Sequence, residues 1–351
     1  MKINRPEPIT ADLEVFVYTR NVEAQYAIDA LVDGDYVLIG DSYSSGLHLL
    51  DALKQYVKTK HAKSSFQGQR DFRGAFYELS NNILVEIEGH RIALKKSPEI
   101  GWLKKLYPEI SSFVLPFPKV QGLNSAWQWY IKGIFIPSLK SKIYPYFGTY
   151  FPTRFEHIDL FDNWLSTYTG EKKSAIDIGV GSGVLSMQLL KHGFESVIGT
   201  DINPNAIFGL SKAKEKNKQL ENLELIHGNL FESISISTEL IVFNPPWLPT
   251  KIDAKGIDLA IYYDEELFPS FFKEAVKHLN SNGLIVLIFS NLAQVTGITT
   301  INPIEKELKE GGRFKKEIHL KKAVKAASTK TKRDQNWRQE EEIELWVLSC
   351  K

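Results

Sequence analysis

The chain has 351 residues, 43% of them hydrophobic and 24% charged, a composition that suits a soluble globular protein and excludes an intrinsically disordered one. Its 43 Lys and Arg against 42 Asp and Glu leave a formal charge of +1. No whole-molecule signature of nucleic-acid binding exists, so any such role must rest on a local patch. The single cysteine, Cys350, excludes an intramolecular disulfide. No segment approaches the roughly 18 uninterrupted apolar residues of a membrane helix, and no signal-peptide core is seen. The expectation is a cytoplasmic protein without membrane association, long enough for two domains.

In chain order, residues 22–31 read as a helix, 36–39 as a strand and 46–59 as an amphipathic helix. Residues 76–85 and 86–95 read as a hairpin, joined at Asn81-Asn82 or Glu88-Gly89. Residues 115–150 are rich in proline and aromatic side chains. There is no internal repeat. Residues 1–140 are expected to form a separate α/β or α+β domain that recognises substrate, and 141–351 a second domain. The second half alternates regularly: strands at 174–180, 196–202, 223–228, 239–243 and 283–290, with helices opening at 185, 205 and 265. The helix at 265–279 is expected to stop at the turn cluster Asn280-Ser-Asn-Gly283. A helix at 303–309 and strands at 314–324 and 342–350 complete the pattern. Apolar strands separated by helices predict an α/β fold, a parallel sheet covered on both faces.

Three glycines, Gly179, Gly181 and Gly183, follow the apolar run that contains Asp177. A glycine turn between strand and helix lets backbone N–H groups approach a ligand closely. The dinucleotide fingerprint G-x-G-x-x-G is not met, because its third position falls on Val184 or Ser186. Asp201 ends the next strand, 22 residues after Gly179, where a carboxylate accepts from both hydroxyls of a ribose. Its alternative role is capping the helix after Asn203-Pro204. Asn244-Pro245-Pro246-Trp247 ends the strand at 239–243. Prolines there fix φ and offer carbonyls without competing N–H donors, and the indole offers a flat face. Gly40-Asp-Ser42 lacks the His and acid partners of a hydrolase nucleophile, and Ser42 reads as a helix cap. Residues 313–338 hold ten Lys or Arg against Glu317 and Asp334, a local excess of eight, with Trp337 able to stack on a base. This segment is a candidate RNA contact or a solvated loop.

The glycine loop and Asn-Pro-Pro-Trp together resemble the class I S-adenosylmethionine-dependent methyltransferases that act on planar nitrogens, similar to release-factor glutamine methyltransferases and RNA adenine or guanine N-methyltransferases. The resemblance covers about residues 145–351 and implies a Rossmann-like seven-stranded sheet, S-adenosylmethionine as methyl donor, and no metal. It implies cofactor binding by Asp177, Gly179, Gly181, Gly183, Asp201 and Asn229. Asn229 stands where the family usually has an Asp that meets the adenine amino group. The resemblance also implies catalysis by Asn244, Pro245, Pro246 and Trp247. The Asn244 side-chain oxygen and the Pro245 carbonyl would accept the two N–H groups of the target nitrogen. The segment from Tyr150 to His157 partly resembles the family's Pro-Arg segment over the cofactor, which makes Arg154 a candidate substrate contact beside Trp247. The acceptor is a protein glutamine, a nucleobase amine or a small molecule. A non-catalytic nucleotide- or nucleic-acid-binding module on this fold is the alternative, and a nicotinamide oxidoreductase is disfavoured by the glycine spacing.

Overall fold

The computed structural model describes residues 2–61, 66–250, 260–324 and 340–351, the side chains of 66–70 excepted. The chain divides into two compact units, Arg5–Ile131 and Met1–Asn4 with Lys132–Lys351. The sequence-based border was at 140, whereas this division falls at 131.

The unit Arg5–Ile131 runs β1 (Val15–Tyr18), α1 (Ala24–Asp33), β2 (Tyr36–Ile39), α2 (Tyr43–Lys60), α3 (Phe66–Asn81), β3 (Ile83–Glu88), β4 (Arg91–Ile92), α4 (Trp102–Leu106), β5 (Phe113–Pro116) and α5 (Phe117–Lys132). β1, β2 and β3 pair in parallel, and β4 and β5 pair antiparallel to β3. Leu49, Leu53 and Val57 of α2, four residues apart, share one buried stripe. Ser42 caps α2, its side chain accepting from the Ser45 N–H. Residues 76–81, expected in a strand, are instead the last turns of α3, where Phe72 and Phe76 stack one turn apart. The hairpin is shorter and turns at Gly89 and His90, both at positive φ, a pairing that suits a tight turn between twisted strands.

The second unit begins with the hairpin β6 (Ile134–Ile136) and β7 (Ser141–Ile143). Ile134, Ile136 and Ile143 share a core with Ile158 and Val184, which is why residues 132–140 belong here. It continues α6 (Glu156–Thr167), β8 (Ser174–Ile178), α7 (Val184–Lys191), β9 (Ser196–Asp201), α8 (Pro204–Lys214), β10 (Leu223–His227), β11 (Thr238–Phe243), β12 (Leu248–Pro249) and β13 (Tyr262–Tyr263). Then come α9 (Leu267–Ala275), β14 (Leu279–Ser290), α10 (Leu292–Val295), α11 (Pro303–Lys306), β15 (Phe314–Ala323) and β16 (Glu342–Cys350). Seven strands form one sheet in the order β10-β9-β8-β11-β14-β16-β15, with β16 antiparallel to both of its neighbours and every other pair parallel. The fold is α/β, and its last two strands form the antiparallel pair that the resemblance implied.

Alternate residues of the inner strands go to opposite cores. Leu240, Val242, Val286 and Ile288 pack on one face; Ile241, Phe243, Ile285 and Leu287 pack on the other. The apolar runs follow from this two-sided burial. The cluster Asn280-Ser-Asn-Gly283 does not end a helix. It lies inside β14, where the register steps from Thr238↔Leu279 to Leu240↔Leu284 and the extra residues bulge out. The turn-forming residues are there because a bulge needs them as a turn does. Residues 307–311 continue α11 as a π-helical turn rather than an α-helix. Among the described residues, no helix is long and apolar enough to cross a membrane.

Candidate active site

β8 has β9 on one side and β11 on the other, so the chain order reverses at β8. In open parallel sheets that reversal opens a crevice at the carboxyl ends of the strands. A cleft of about 1590 Å³ lies there, lined by Gly179, Gly181, Asp201, Asn229, Asn244, Pro245, Pro246 and Trp247, with Arg154 and Tyr150.

The glycine loop is shaped by backbone angles that side chains resist. Gly179, Gly181 and Gly183 lie at φ of 69°, 51° and 79°. Gly183 does not line the cleft. It starts α7, and a Cβ there would lie 2.7 Å from Leu210. Asp177 also stays behind the loop, 1% exposed, accepting from the Ser186 hydroxyl at 2.6 Å. Its other oxygen has no hydrogen-bond partner among the described residues. Burial pushes this carboxyl up to about 7 against the opposing hydroxyl bond, and the Asp201 charge adds to the rise. Asp177 therefore supports the loop from beneath.

Asp201 is on the cleft wall. One of its oxygens accepts from Gly181 N–H and the other from Asn203 N–H, both at 2.8 Å. Burial raises its pKa, and the two backbone bonds oppose that rise. The capping role falls to Asn203, whose side chain accepts from Asn205 N–H. Each Asp201 oxygen keeps a further acceptor site. Ile202 beside it is 49% exposed and offers an apolar platform in the same wall. A diol-bearing nucleoside fits these groups: glycines that leave room, a carboxylate for the diol, an apolar surface for the base, and the Asn229 amide.

At the end of β11, the Trp247 indole N–H donates to Asn244 Oδ1 at 3.2 Å. The His157 ring meets Trp247 edge to face, with centroids 5.8 Å apart at 90°. Burial first, then the Arg154 charge, pull His157 down to about 4, so it is neutral near pH 7. Arg154 lines the cleft, but its guanidinium is committed. It donates to both oxygens of Glu341, at 2.9 and 3.2 Å, and Glu341 is fully buried. Ser290 Oγ donates to the same carboxylate at 3.3 Å. Glu341 and His157 were not singled out in the sequence, since neither lies in a motif that marks its role.

Further behind the wall, the Asn203 amide donates to the Gly148 carbonyl and the Asn205 amide to that of Phe147, each at 2.8 Å. Asn205 also exchanges two 2.7 Å bonds with the backbone of Asn4. Residues 325–338, most of the basic segment, and its Trp337 lie outside the described residues. Within β15 three of the four lysines are ion-paired, Lys315 with Glu317, Lys321 with Glu342 and Glu344, and Lys322 with Asp159, and Lys316 lies over the Trp346 ring.

A sheet of this order, with a glycine loop after β8, a carboxylate ending β9 and Asn-Pro-Pro-Trp ending β11, defines a class I methyltransferase. Residues 159–309 match the family model of the methyltransferase small domain. A Methanocaldococcus jannaschii protein, named as a protein N5-glutamine methyltransferase, is 30% identical over 190 residues, covering 51% of this chain and 91% of that protein. The chain belongs to this methyltransferase family and is an enzyme. Similarity also extends to a release factor glutamine methyltransferase of Agrobacterium fabrum, at 38% identity over 80 residues, 22% of this chain and 28% of that one. A ribosomal protein L11 methyltransferase of Lachnospira eligens is 36% identical over 73 residues, 20% and 23% of the two chains. The chain thus spans about a quarter of the length of those last two relatives. Among solved structures, a ribosomal protein L11 methylase from Lactobacillus delbrueckii subsp. bulgaricus aligns with 17% identity and a TM-score of 0.38, over 58% of this chain and 81% of that one. Enzymes of this class use S-adenosylmethionine.

Proposed function

We propose that the chain methylates a planar nitrogen with S-adenosylmethionine, and that the nitrogen is the side-chain amide of a glutamine in a protein. The observation that carries this reading is Asn244-Pro245-Pro246-Trp247 in one cleft with Gly179, Gly181 and Asp201. The names of the M. jannaschii and A. fabrum relatives favour glutamine over a nucleobase amine. Bound S-adenosylmethionine supplies a methyl already activated by its sulfonium, so no strong base is needed before attack.

The chain's own residues bind and orient. Asp201 holds the ribose hydroxyls, the loop at Gly179 and Gly181 leaves room for the donor, and Asn229 accepts the adenine amino group. An amide nitrogen is a poor nucleophile because its lone pair is delocalised. The Asn244 side-chain oxygen and the Pro245 carbonyl accept its two N–H groups, aim the lone pair and stabilise the positive charge that develops. The unit Arg5–Ile131 recognises the acceptor protein, and a cytoplasmic setting is part of the same proposal.

The test pairs calorimetry with transfer of isotope-labelled methyl into lysate protein. Asp201→Ala should weaken S-adenosylhomocysteine binding by about 1.5–3 kcal/mol, the worth of hydrogen bonds to a charged group. Asn244→Ala should leave that binding nearly intact and lower transfer by about 10²-fold, as expected for a partner that acts in the transition state. Label in RNA or metabolites instead of protein would move the acceptor to a nucleobase amine or a small molecule. Full transfer by Asn244→Ala would remove the planar-nitrogen mechanism.

A further inference from the structure

Within Asn-Pro-Pro-Trp the aromatic residue turns back on the asparagine. Trp247 Nε1–H donates to Asn244 Oδ1 at 3.2 Å across only three residues. Two prolines between them fix φ at both positions, so the backbone that brings indole to amide is preformed. The indole itself is anchored on three sides. It packs against the apolar cores on both faces of the sheet, and His157, 5% exposed, stands edge to face against it.

We propose that Trp247 is a positioning residue for Asn244: its indole N–H holds the Asn244 carbonyl oxygen in place and leaves one lone pair of that oxygen to the N–H of the acceptor. The inference rests on the planar-nitrogen reading above. A primary amide side chain can rotate to present either oxygen or NH₂, and only the oxygen can accept from the acceptor nitrogen. Rotation would set the Asn244 NH₂ against the indole N–H, donor against donor. The bond to Trp247 therefore selects the useful face before the acceptor arrives. His157 keeps the indole in register without bringing charge to it, because burial and Arg154 hold the imidazole neutral.

Trp247→Phe keeps an aromatic wall, though a smaller one, and removes the donor. The chain holds seven tryptophans, each with one indole N–H resonance in a ¹⁵N correlation spectrum, and the one missing in Trp247→Phe identifies Trp247. In Asn244→Ala that resonance should shift and exchange faster with water. Methyl transfer into lysate protein should fall about tenfold in Trp247→Phe, while S-adenosylhomocysteine binds as in the parent. If Trp247→Phe fails to fold, triple-resonance assignment of the parent identifies the Trp247 indole instead, and its shift in Asn244→Ala still decides. An unmoved indole resonance in Asn244→Ala, or full transfer by Trp247→Phe, overturns the positioning role and leaves the proposed function standing. Full transfer by Asn244→Ala overturns the proposed function itself.

Discussion

His157 and Asp177 titrate in opposite senses, and each makes the other hard to see. His157 is pulled from 6.5 to about 4 in the fold, so the unfolded chain binds its proton more readily and stability falls as pH drops from about 6.5 to about 4. Asp177 is raised from 3.8 to about 7, so its contribution is full below 3.8 and is lost as pH rises through about 7. At about 1.4 kcal/mol per unit, each is worth up to about 3–5 kcal/mol. His157→Phe should gain stability over the parent as pH falls from 6.5 to 4. Asp177→Asn should gain over the parent as pH rises from 4 to 7. Urea unfolding across that range checks both, and parallel curves for parent and variants would contradict the assignment. At this scale the sequence was legible where chemistry is local. Gly179, Gly181 and Asn244 announce their places in the cleft through their immediate neighbours. His157 and Glu341 do not, because their surroundings come from residues remote in the chain, such as Trp247 and Arg154.

Periodicity placed the five inner strands of the sheet because each is buried on both faces and reads as an apolar run, while the edge strands β10 and β15 are largely open to solvent. It misassigned residues 76–81, since aromatic residues of β propensity also suit a helix when two of them stack one turn apart. It also misassigned the cluster at 280–283, because turn and bulge make the same demand on the backbone. Arg154 was legible as a residue near the site but not as an anchor. Its partner Glu341 is fully buried, its carboxylate held by the guanidinium and by the Ser290 hydroxyl. Arg154→Met should therefore cost about 2–3 kcal/mol, somewhat below the range for breaking a fully buried pair because Arg154 is 31% exposed. Adding Glu341→Met should recover much of that loss in denaturant unfolding. Equal stability of Arg154→Met and parent would show the bond to be idle.

On the scale of the molecule, the sheet order and the site lie within one unit, Met1–Asn4 with Lys132–Lys351. Residues 132–351 alone are expected to bind S-adenosylhomocysteine within about threefold of the full chain, at lower melting temperature because the two Asn4–Asn205 bonds are gone. They should also fail to methylate the protein acceptor if Arg5–Ile131 recognises it. Retained methylation would take recognition away from that unit. Calorimetry and label transfer on the fragment decide the matter. The N-terminal strap was invisible in the sequence, where Asn4 has no pattern about it. Charge balance pointed to no partner class, and the relatives' names, not composition, bring the protein acceptor forward.

Glu341 stands immediately before β16, and Arg154 stands before the first strand of the sheet, 187 residues earlier. The anchor of this cleft-lining arginine therefore leaves the ribosome well after the glycine loop and Asn-Pro-Pro-Trp. A chain grown only that far holds the glycine loop and Asn-Pro-Pro-Trp, yet the carboxylate that Arg154 grips and the antiparallel neighbour of β14 are still to come. The sheet itself closes late in synthesis, when β16 slots between β14 and β15.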